Sequence, residues 1–145
     1  GGGALAAAQE EEEEEEELGD GWVLQELVAR CEEHSATLLV VAGQVVRAEV
    51  LTYSYEKECY VWPWVRELKQ ERTCCPELGE QMRGVLQTLL RGYSGVANVN
   101  YKLRKEDGRP ALFEVNTRVG GDLAKDMPRP RAAAFFEALG ELGDI

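Results

Sequence analysis

The chain has 145 residues, 44% hydrophobic and 30% charged, with 16 basic and 27 acidic side chains and a net charge of −11. One domain and a real core fit that length and composition, and no apolar stretch is long enough for a transmembrane helix. Eight of the acids form one Glu run at 10–17, so 19 (27 less 8) face the 16 bases elsewhere, with no basic face for nucleic acid.

Residues 1–20 are Gly, Ala and poly-Glu, with nothing apolar to bury, and read as a disordered tail or linker. The fold is expected over 21–145. Residues 22–28 (WVLQELV) read as a strand, and 37–42 as an apolar, β-branched one. A turn at Gly43-Gln44 returns the chain as a strand over 45–53, a hairpin signal. The aromatic stretch 54–75 reads as a loop with a short helix at 64–71. Pro76 then opens a helix over 77–91, closed by Gly92, with Leu78, Met82, Val85, Leu86, Leu89 and Leu90 at helical spacing for the core. Strands at 96–103 and 111–117 flank an Asp107-Gly108 tip. A Pro-broken segment follows Gly120-Gly121, and a last helix at 130–142 carries Ala134, Phe135, Leu139 and Leu142. Antiparallel strand pairs with helices between them define an α+β fold, an antiparallel sheet with flanking helices.

The four cysteines (Cys31, Cys59, Cys74, Cys75) form no C-x-x-C pair, and with one histidine they make no zinc site. No secretory signal is visible, so unpaired thiols fit a reducing, cytoplasmic compartment. A single His34 supports no Ser/His/Asp or Cys/His catalytic arrangement. It reads as a nucleotide-pocket or surface residue.

The chemistry concentrates in 93–123. With Asp107 at the hairpin tip, Asn100 falls opposite Glu114, and Asn98 opposite Asn116. The two-residue period puts Glu114, Asn116 and Arg118 on one face with Asn98 and Asn100, while Phe113, Val115, Val99, Tyr101 and Leu103 take the other. One carboxylate and two or three amides, all oxygen donors, therefore converge beside a cation. Hard oxygen ligands suit Mg²⁺, which keeps waters and is completed by substrate phosphates, and Arg118 could hold a phosphate by a charge-assisted pair.

The run F-E-V-N-T-R-V-G-G, preceded by G-V-A-N-V-N, resembles the E-x-N-x-R signature of the ATP-grasp superfamily. It is most similar to the carbamoyl-phosphate-synthase-type and biotin-carboxylase-type branch. The resemblance implies metal ligation by Asn100, Glu114 and Asn116, bridging the ATP phosphates, and phosphate or substrate contact by Arg118. Upstream, V-L-Q-E-L-V-A-R-C-E-E-H-S resembles the family's strand–hinge–strand. That implies adenine contacts from Glu26 and the backbone near Val28 and Ala29, and ribose contacts from Glu33. The hinge carries Arg30-Cys31-Glu32 where relatives have a Gly, and Asn100 stands where an acid or Gln is common.

Nothing before residue 22 resembles the family's lysine-bearing lobe or Gly-rich closing loop. The expectation is therefore the C-terminal lobe of an ATP-grasp domain. Its implied partners are ATP, Mg²⁺ (with Mn²⁺ as substitute) and a small carboxylate. The implied reaction is activation of that acid as an acylphosphate for attack by an amine or other nucleophile. The alternative is a non-catalytic nucleotide-binding module. Apolar surface beside the missing lobe is expected to make the chain associate.

Overall fold

The computed structural model describes residues 21, 24–59, 64–75 and 77–143. The expectations for residues 1–20, for Trp22 in the first strand, for the centre of the aromatic stretch at 60–63 and for Pro76 as helix opener lie outside those residues. Five strands form one antiparallel sheet: β1 (Glu32–Val41), β2 (Gln44–Ser54), β3 (Thr73–Cys75), β4 (Gly95–Leu103) and β5 (Pro110–Asn116), in the order β3-β2-β1-β4-β5. Helix α1 (Glu80–Leu89) connects β3 to β4, and α2 (Gly121–Lys125) and α3 (Arg129–Glu141) follow β5. The α+β expectation holds.

β1 and β2 are joined by Ala42-Gly43, both with positive φ (50° and 82°), as a two-residue hairpin turn requires. The turn lies one residue earlier than Gly43-Gln44. A Cβ on Gly43 would also sit 3.1 Å from the backbone of Leu90, Arg91 and Gly92, so glycine suits both conformation and packing.

Alternation along the strands builds two different faces. On one, Ala36, Leu38, Val40, Val50, Ala97 and Val99 pack under Leu78, Met82, Leu86 and Leu90 of the α1 region. On the other, Leu39 and Leu51 pack under Leu123, Met127 and Phe135. That second face also buries charge: Glu49 accepts from Arg47 Nη2 (3.0 Å) and Arg131 Nε (2.8 Å). Two guanidiniums meet the need of a buried carboxylate for charge and hydrogen-bond partners.

Several expected elements differ. Residues 24–30 form no strand. Their fixing comes from side chains described below and from the Arg30 N–H, which donates to the Glu58 carbonyl (3.1 Å). Within 64–71 only a 3₁₀ turn forms, Lys69–Glu71. The residues before it extend β2 instead, through a Tyr55–Glu67 bridge and Leu68 N–H to Ser54 O (2.7 Å). α1 begins at Glu80, and Val85 and Leu89 are exposed, so the buried stripe is the narrower Leu78, Met82, Leu86, Leu90. In α3 the inward stripe runs through Ala132, Phe135, Ala138 and Leu139, leaving Leu142 exposed.

Candidate functional site

β4 and β5 pair as the hairpin centred on Asp107 requires: Asn98 opposite Asn116, Val99 opposite Val115, Asn100 opposite Glu114. The register then shifts, and Tyr101 faces Leu112. Phe113 is the extra residue of this bulge, which corrects its placement on the apolar face. Leu112 packs against the α1-side core instead, and Phe113 lines a separate cavity. A bulge keeps Glu114 in register with Asn100 while restoring the apolar alternation beyond it.

Asn100, Glu114, Asn116 and Arg118 line one cavity of about 350 Å³, and Glu33 of β1 joins them. Asn100 Nδ2 donates to Glu33 Oε1 at 3.4 Å. Glu114 is exposed, and its carboxylate has no hydrogen-bond or ion-pair partner among the described residues. Arg118 at the rim donates from Nη1 to the carbonyl of Val119 (3.2 Å).

Asn98 lines the same cavity but is occupied structurally. Its Nδ2 lies 3.1 Å from Ser35 Oγ, 3.3 Å from Thr37 Oγ1 and 3.2 Å from Asp122 Oδ1, while Thr37 Oγ1 donates to Asp122 Oδ2 (3.3 Å). This buried relay fastens the start of α2 to β1 and β4. A Cβ on Gly120 would come within 1.9 Å of Asp122 Oδ1 and 2.4 Å of Asn98 Nδ2, so the relay requires glycine there.

The far wall went unanticipated: Tyr53, Tyr55, Glu67, Asp122 and Asp126. Tyr53 donates its hydroxyl to Asp126 Oδ2 (3.0 Å), and burial, then this carboxylate, raise its pKa. Arg72 pairs with Asp126 Oδ1 (2.6 Å) and Glu67 Oε1 (2.6 Å) and lies 4.9 Å from the centre of the Tyr53 ring. Gly-Gly-Asp before a helical stretch was a readable hint of Asp122. Glu67 had no local signal, because a long-range bridge places it.

The residues expected to read a nucleobase lie apart. Glu26 and Val28 line a second cavity of about 360 Å³ with Arg104, Pro110, Leu112 and Phe113. Glu26 pairs with both Arg104 terminal nitrogens (Nη2–Oε2 2.8 Å), and this hydrogen bonding holds its carboxyl below the usual range. Val28 is buried, and Ala29 is exposed and lines neither cavity. His34 lines neither cavity: it stacks on Tyr101 (4.8 Å) and its Nδ1 lies 2.9 Å from Thr52 Oγ1 on the opposite face.

Among the described residues, no three His, Cys, Asp or Glu side chains form a group able to hold a metal on their own. Glu33 and Glu114 with the Asn100 and Asn116 amides make a sparse oxygen set. Such a set suits a hydrated Mg²⁺ completed by ligand phosphates better than an all-protein cage. Comparison with protein-family models, curated proteins and solved structures finds no match to this chain. Among the described residues, no helix is long and apolar enough to cross a membrane.

Proposed function

We propose that the chain supplies the Mg²⁺- and ATP-binding wall of an ATP-grasp ligase. One observation carries the reading: Glu33, Asn100, Glu114, Asn116 and Arg118, separated by up to 85 positions in sequence, line a single cavity. Its carboxylates and amides offer oxygen to a cation, and Arg118 offers charge to a phosphate. Phosphoryl transfer from ATP to a carboxylate rests on positioning and charge neutralisation, so the reading asks for no nucleophile–base pair in this cavity. In this role Glu114, Asn116 and Asn100 hold the cation, Arg118 steadies the phosphates and Glu33 takes the ribose hydroxyls. Glu26 and the main chain of Val28, in the neighbouring cavity, take the base.

Titration with Mn²⁺ followed by electron paramagnetic resonance, with and without ATP, tests the site. ATP should raise Mn²⁺ affinity in the wild type, and Glu114→Gln should lower the affinity of the ternary complex at least tenfold. Equal affinities for the two proteins would remove the assignment.

The amide of Asn100, in place of a second carboxylate beside Glu114, favours a second reading, a nucleotide-binding module without turnover. Hydroxylamine trapping during incubation with Mg·ATP and a panel of carboxylic acids separates the two. A hydroxamate supports the ligase over the module.

A further inference from the structure

Alternate residues at the end of β4 and just past it reach back to the irregular segment before β1 and its junction with β1. Asn100 donates to Glu33, Lys102 Nζ to the carbonyl of Val28 (3.4 Å), and Arg104 to Glu26. The partners run in reverse order along the chain, as in an antiparallel pair, but the rungs are side chains. Lys102 is the central rung and is only 4% exposed. Its ammonium also donates to the Glu58 carbonyl (3.3 Å), which accepts from Arg30 N–H as well.

A buried ammonium is costly unless its protons are bonded, and burial here lowers its pKa. Carbonyls outside regular structure need donors in turn. Each therefore satisfies the other, and two irregular stretches are tied to the tip end of the β4–β5 hairpin. The first and last rungs mark different cavities: Asn100 lines the one with Glu114, and Arg104 the one with Phe113. Asn100 and Arg104 are four residue steps apart along the extended chain, about 13 Å.

We propose that Lys102 is a positioning residue that fixes the main chain at Val28 and thereby the span between the two cavities. The ligand would be an elongated one, with a flat heteroaromatic group at the Val28–Phe113 end and metal-bound phosphates at the Glu114 end. The ligand assignment rests on the nucleotide reading above, whereas the pinning of 24–30 does not.

The test compares wild type, Lys102→Met and Lys102→Arg by amide hydrogen exchange and by residue-resolved NMR titration with Mg·ATP and with Mg·tripolyphosphate, which lacks the base. Lys102→Met should speed exchange across 24–30 at least tenfold, with β1 protection unchanged. It should weaken Mg·ATP at least tenfold and leave Mg·tripolyphosphate within twofold. Lys102→Arg, which keeps the charge and donors, should recover part of both losses. Should Lys102→Met fail to fold, Lys102→Gln, which keeps a donor without the charge, gives the same ATP-against-tripolyphosphate comparison.

Unchanged exchange at 24–30 would overturn the positioning role. If both ligands weaken equally, the role falls while the nucleotide reading stands. If the wild type binds neither ligand, the nucleotide reading falls, and with it the proposed span.

Discussion

The two faces of the sheet are made by alternate residues of the same strands and differ in almost every other respect. Under α1, Leu38, Val40, Val50 and Val99 meet Met82 and Leu86 in an apolar layer. On the opposite face the same strands present Thr37, Glu49, Asn98, Asn100 and Lys102, of which all but Asn100 are buried. Around Asn100, Glu114 and Asn116 that face is open and polar. One face supplies stability, and the other uses that rigidity to hold oxygen donors at set positions.

The comparison breaks most readily on the apolar side. Leu86→Ala empties a fully buried position and should cost about 2–5 kcal/mol by urea denaturation, with cavity-lining residues unmoved. Next, Gly120→Ala should cost about 1–3 kcal/mol, because its methyl has no room beside Asp122 and Asn98. Here the loss should come with displaced α2 resonances, since the relay and not a core layer is disturbed.

A smaller, pH-dependent effect is expected at His34. Burial lowers its pKa below the ordinary 6.5, against the opposing pull of Glu32. The unfolded chain therefore takes up the proton first as pH falls. The neutral-His contribution is fully present above pH 6.5 and is lost as pH drops below it towards the folded pKa. His34→Gln should flatten stability between neutral pH and that lower value, measured against wild type. The smallest effect on stability belongs to Glu114→Gln. This exposed residue should change stability by no more than about 0.5 kcal/mol while Mn²⁺ binding collapses. A large loss of stability there would make Glu114 a packing residue and erase the contrast between the faces.

What was legible in the sequence follows the same division. Two-residue alternation and the Asp107-Gly108 tip placed Asn98, Asn100, Glu114 and Asn116 opposite one another, and the structure pairs them so. Hairpin register depends on local turn chemistry, which sequence carries. The bulge at Phe113 has no such signal, and neither did the Asp126–Arg72–Glu67 wall, assembled from residues up to 59 positions apart. Residues 22–28 resembled a strand by composition. Over 24–30 the contacts are instead Lys102 and Arg104 side chains, which periodicity does not register. Val85 and Leu89 matched helical spacing but lie beyond the stripe that the sheet covers.

On the function proposed above, the open polar face, and not the α1 face, holds a cation together with nucleotide phosphates. Paramagnetic broadening by substoichiometric Mn·ATP in a ¹H–¹⁵N spectrum tests it most directly. The expected result is early loss of the Asn100, Glu114 and Asn116 backbone signals, with Leu86 and Met82 of α1 unaffected. Broadening that spares the β4–β5 hairpin, or that centres on α1, would contradict it.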